Sequence, residues 1–123
     1  MAPNPALAVH GALARGVFAV VVLVSLAVLF APASDVPSAP AGVDKLVHLG
    51  LFAALAFTGR WAGIGSRALA AMLVGYAAIS EVIQGLSALD RSMSLGDWAA
   101  DTVGVLLGLA LWGLTERRTA TPR

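Results

Sequence analysis

The sequence predicts an all-α protein, an integral membrane four-helix bundle, on three observations. Of 123 residues, 59% are hydrophobic and only 12% charged, with a mean hydropathy of +0.85, far from the balance of a soluble domain. Apolar stretches of helical-span length recur between short polar breaks. The ionisable residues inside those stretches fall at matching depths, as they would if neighbouring helices paired them. The length fits one domain. The chain has no cysteine, which excludes disulfides, thiolate zinc sites and thiol nucleophiles. Its net charge is +1, and no basic run or aromatic platform points to nucleic acid.

Residues 1–15, with Pro3, Pro5, His10 and Arg15, read as an N-terminal segment outside the bilayer. A first helix over about 16–31 follows, and within Val17–Phe30 only Ser25 is polar. At about 1.5 Å per residue, such a run nearly crosses a hydrocarbon core of about 30 Å. A cleaved signal peptide is the rival reading, because Arg15, a short apolar core and Ala31-Pro32-Ala33 fit that pattern. Retention is favoured, since further spans follow and a first helix often serves as an uncleaved signal. Pro32, Pro37 and Pro40 make the next stretch a linker.

A second helix is expected over about 45–61, with Asp44 as N-cap and Arg60 near its end. Gly63, Gly65 and Ser66 form the turn, and a third helix over about 67–89 carries Glu81 and Gln84 in its later half. Asp90–Gly96 reads as a loop. The fourth helix, about 97–114, opens at Asp97 as N-cap, and residues 115–123 form a polar tail. At roughly 100° per residue, Asp97, Asp101, Gly104 and Gly108 share one side of it. The two glycines allow close approach of a neighbouring backbone, so that side should face protein.

Four spans put both termini on one side. Arg15, Arg60, Arg67, Arg117, Arg118 and Arg123 fall on that side, against Lys45 and Arg91 on the other. The positive-inside rule makes the terminal side cytoplasmic in a multi-pass cell-membrane protein. Asp44, Lys45, His48, Glu81, Gln84, Arg91, Asp97 and Asp101 then converge just under the outer surface. A charge there would cost roughly 2.5–3.5 kcal/mol or less facing lipid, so these groups should face inward and pair.

In order and spacing these residues resemble the VanZ-like membrane proteins. The likeness runs through Asp44-Lys45 and His48 with Phe52 one turn on, then Glu81-x-x-Gln84. Arg91-x-x-Ser94-x-x-Asp97 follows, and then Gly104 and Gly108, the whole covering about Asp44 to Trp112. The first helix agrees only in being hydrophobic. The resemblance implies a small multi-span protein whose namesake is associated with low-level resistance to the lipoglycopeptide teicoplanin. The chain departs from the family at Asp101, where asparagine is common.

Three roles follow for the outer polar layer. It could bind an amphiphile, either a lipid-linked cell-wall precursor or a lipoglycopeptide tail, with Lys45 and Arg91 meeting an anionic head group. It could serve a membrane-embedded hydrolase or transferase, with Glu81 or Asp101 as general base and His48 as acid partner. It could be structural, holding helices in register through buried ion pairs. Membrane lipids are the expected partners under all three. A metal site on His48, Glu81 and Asp101 is disfavoured, because that set has a single histidine and no second nitrogen ligand, so no metal or cofactor is expected. Capping alone would explain Asp97, but Asp101 lies a turn deeper. Gly104 and Gly108 read as helix-packing positions, and Trp61, Trp98 and Trp112 as interfacial anchors near span ends.

Overall fold

The computed structural model describes residues 4–31, 42–85 and 95–119, with side chains described as far as Glu116. Those residues are all-helical. A 3₁₀ turn, Pro5–Leu7, precedes α1 (Ala12–Leu29), α2 (Val43–Trp61), α3 (Ser66–Gln84) and α4 (Leu95–Thr119). Three of the four helices, α1, α3 and α4, are long and apolar enough to cross a membrane. The chain is thus a multi-pass membrane bundle by composition and length. The expected second span differs in kind, because Asp44, Lys45 and Arg60 all lie within α2.

Element boundaries shift from the expected ones for local reasons. Helix α1 starts at Ala12, not near residue 16. Ala12, Leu13, Ala14 and Arg15 are all strong helix formers, so the helix runs past the edge of the apolar stretch to Gly11. Gly42, not Asp44, caps α2, and Asp44 sits in its first turn, where its charge still meets the helix dipole favourably. Helix α3 stops at Gln84, with Gly85 at its C-cap; residues 86–89 lie outside the described residues. Asp97 is not an N-cap either, since α4 begins two residues earlier and continues beyond residue 114 to Thr119.

Paired ends fix the directions of the helices. Near the start of α1, the His10 amide donates to the Trp61 carbonyl (3.2 Å) and Trp61 Nε1 donates to the Leu7 carbonyl (2.8 Å). At the opposite end Gln84 Nε2 donates to the Leu29 carbonyl (2.7 Å). Helices α2 and α4 run parallel, because Lys45 meets Asp97 at one end and Arg60 meets Glu116 (3.0 Å) at the other. Consecutive helices therefore point in opposite directions.

The pair α2 and α4 forms the most extensive contact in the bundle. A Cβ on Gly104 would run into the Leu49 carbonyl oxygen, and one on Gly108 into the Ala53 carbonyl oxygen and the Ala56 side chain. The two backbones touch at these points because neither glycine has a side chain. A mid-helix glycine costs about 1 kcal/mol relative to alanine in propensity, which close packing along the seam offsets. One turn further, Phe57 meets Trp112 edge-on, with centroids 5.3 Å apart and planes at 80°.

Around this seam the core gathers Leu29, Phe52, Leu55, Ala56, Leu69, Leu73, Ala77 and Val105. Tyr76 stacks at a tilt between Phe30 and Phe52 and shares a 2.8 Å hydrogen bond with the buried Ser25 hydroxyl. Large apolar side chains on the outer faces, among them Val20, Leu23, Met72, Ile79, Leu106 and Leu114, remain exposed, as lipid-facing positions would.

Candidate functional site: a buried polar cluster at one end of the bundle

The seam between α2 and α4 determines the site. Reading from the core outward, its glycine contacts give way to His48 opposite Asp101 and then Lys45 opposite Asp97. Helical periodicity explains the pairing, since Lys45 and His48 are three residues apart and Asp97 and Asp101 four, so each pair lies on one helix face. From α3, Glu81 and Gln84 reach the same end, one turn apart on a shared face.

The cluster is deeply buried. Relative exposure is 0% for Asp101, 3% for His48 and Glu81, 1% for Gln84 and 8% for Asp97. His48 Nδ1 lies 2.7 Å from Asp101 Oδ1, a short contact that fits a ring N–H donating to a carboxylate. In that tautomer Nε2 carries the lone pair, and it lies 4.0 Å from Asp97 Oδ2. The other Asp97 oxygen accepts from Lys45 Nζ at 3.2 Å, and Lys45 Nζ is 3.8 Å from Asp44 Oδ2. Potential ligand atoms of His48, Glu81 and Asp97 all lie within 4.8 Å of one another. Asp101 Oδ2 and Trp98 Nε1 are sealed from solvent with no hydrogen-bond partner among the described residues.

Of the residues expected in the outer layer, the bundle brings together Lys45, His48, Glu81, Asp97 and Asp101. Asp44 is exposed and touches the group only through Lys45. Gln84 donates to the Leu29 carbonyl, tying α3 to the end of α1. Arg91 and Ser94 lie outside the described residues. The tryptophans differ from simple interfacial anchors: Trp112 is buried against Phe57, Trp98 packs on the core, and Trp61 holds the N-terminal segment. Their positions near predicted span ends concealed this, because hydropathy carries no information about which way a ring faces.

Sequence reasoning missed the Ser25–Tyr76 bond and the buried Ser80, whose hydroxyl returns to the Ala77 carbonyl (2.8 Å). A lone serine in an apolar helix is the available signal, since its hydroxyl needs an acceptor away from lipid.

Chemically the cluster offers an oriented imidazole, several carboxylate oxygens and one half-exposed ammonium at the rim. Such a group of charges can bind a polar head group, move a proton or hold a cation. No family model, curated protein or solved structure matches the chain.

Proposed function

We propose that this protein is a VanZ-like integral membrane protein whose polar cluster receives the head group of an amphiphile in the outer leaflet. Through that binding it modulates the cell envelope or sensitivity to glycopeptides of the teicoplanin type. The observation that carries the reading is a layer of buried ionisable groups at one end of an otherwise apolar bundle, with Lys45 half exposed at its edge. Intramembrane charges facing the bundle interior are costly and are associated with ligand or ion handling. Lys45 would meet the anionic part of a lipid-linked precursor or lipoglycopeptide, with Arg91 on the same side by its sequence position. The apolar tail would lie along the exposed aliphatic faces. The excess of six cationic residues over two on the terminal side supports termini in the cytoplasm and a cluster facing outward.

The test compares drug and lysis sensitivity of cells expressing wild type or Glu81→Gln, with membrane abundance measured in the same samples. Equal abundance with loss of protection is expected. Loss of both in parallel would mean that the cluster only holds helices together, and would overturn the reading.

A second reading, a membrane-embedded hydrolase or transferase, draws on the 2.7 Å contact between His48 and Asp101. A carboxylate that fixes an imidazole tautomer is the arrangement of a general base, with Nε2 taking the proton from an attacking hydroxyl or water. Turnover of a lipid-linked substrate by purified protein, abolished by Asp101→Ala, would establish it.

A further inference from the structure

We infer that His48, Glu81 and Asp97 form a binding site for a first-row divalent cation, Zn²⁺ or Mn²⁺, with Asp101 and Lys45 as the groups that orient its ligands. The argument begins with one separation. His48 Nε2 and Asp97 Oδ2 are 4.0 Å apart, too far for a hydrogen bond. Metal–nitrogen and metal–oxygen bonds are each about 2.0–2.2 Å, so two ligands of a tetrahedral ion lie about 3.3–3.6 Å apart. The separation exceeds this by only a few tenths of an ångström, so a small movement lets one ion bridge the two atoms. A Glu81 oxygen completes the set, since one ligand atom from each residue falls within 4.8 Å of the others. Glu81 has to draw in by up to about 1.5 Å for all three to share one tetrahedral shell.

Independent support comes from the atoms behind the ligands. A histidine that binds a metal through one nitrogen usually donates its other N–H to a carboxylate, which fixes the ring and raises its basicity. Asp101, fully buried, does this at His48 Nδ1. A ligating carboxylate is in turn usually hydrogen-bonded through its second oxygen. Lys45 does this at Asp97 Oδ1, and it is Oδ2 that faces His48. Both outer partners are thus on the atoms that do not face the gap. One nitrogen and two carboxylate oxygens favour zinc or manganese over magnesium or calcium, which prefer all-oxygen shells. The ligand set differs from the one weighed on sequence alone: Asp97 takes the place of Asp101, which stands one shell back. Three protein ligands leave a fourth position open for water or a ligand oxygen.

The inference does not rest on amphiphile binding and is tested with the metal alone. Full-length protein is purified in detergent without a polyhistidine tag, stripped with chelator, and titrated with Zn²⁺ and Mn²⁺ against a chromophoric competitor, with elemental analysis of the washed protein. One ion per chain is expected, and Co²⁺ substitution should give visible absorption bands. Glu81→Gln and His48→Ala should each remove the ion, Asp101→Asn should weaken affinity by about 10–100-fold, and His10→Ala should leave it unchanged. Helix content and elution volume show whether each variant is folded. Wild type that binds neither ion above a detergent blank overturns the site without relying on any variant. Retention of binding in folded His48→Ala/Glu81→Gln, or its loss in His10→Ala, would also overturn it by placing the ion elsewhere.

Discussion

His48 and Asp101 stand 53 positions apart in the chain and share a 2.7 Å contact that no solvent reaches. Removing the carboxylate strands the ring N–H inside the bundle. Asp101→Ala should therefore lower stability by about 1–3 kcal/mol. Asp101→Asn, which still accepts from the ring through its amide oxygen, should lose less than half as much. Thermal or denaturant unfolding of the purified proteins in one detergent measures both. Equal losses would mean that charge, not hydrogen bonding, holds the pair.

Helices α2 and α4 are in backbone contact at Gly104 and Gly108. Gly104→Ala and Gly108→Ala should each destabilise by about 1–3 kcal/mol, because the new methyl meets a carbonyl rather than a movable side chain. Gly75→Ala provides the contrast. Nothing lies within 4 Å of its added carbon, and alanine's better helix propensity should leave the protein unchanged or stabilise it by up to about 1 kcal/mol. The same unfolding assay ranks the three.

The Ser25–Tyr76 bond ties α1 to α3 inside an apolar surround. A double-mutant cycle with Ser25→Ala and Tyr76→Phe should give a coupling near 0.6 kcal/mol and no more than about 1.7 kcal/mol. Additive single effects would show that each hydroxyl is satisfied locally, as the Ser25 contact to the Val22 carbonyl (2.7 Å) would allow.

Sidedness can be read directly because the natural chain has no cysteine. Leu95→Cys, at the polar-cluster end and 82% exposed, should react with a membrane-impermeant thiol reagent in intact cells. Ser66→Cys, at the start of α3 and also exposed, should react only after permeabilisation. The reverse pattern would place the cluster in the cytoplasm.

Much of this arrangement is legible in the sequence because helical phase and depth are simple functions of residue number. Asp97, Asp101, Gly104 and Gly108 share a face by periodicity, and His48 and Glu81 reach the same layer by counting turns from the ends of their helices. Other features depend on three-dimensional choices that counting does not make. Glu81 and Asp101 are both within plausible reach of His48 from sequence, and only the seam between α2 and α4 selects Asp101 for Nδ1. Asp97 carries a strong capping signal after Ser94-Leu95-Gly96, yet the helix begins at Leu95 and leaves its carboxylate to Lys45. The start of α1 was obscured because hydropathy drops at Arg15 while helix propensity does not.

Helix α2 carries Asp44, Lys45, His48 and Arg60, and among the four described α-helices it alone is not apolar enough, by length and composition, to count as a membrane span. Its carboxylate and glycine counterparts sit on α4, which is synthesised only after α2 and α3. During biogenesis α2 thus leaves the ribosome before the surface that shelters its polar face exists. Only once α4 has packed against it do Lys45 and His48 meet Asp97 and Asp101.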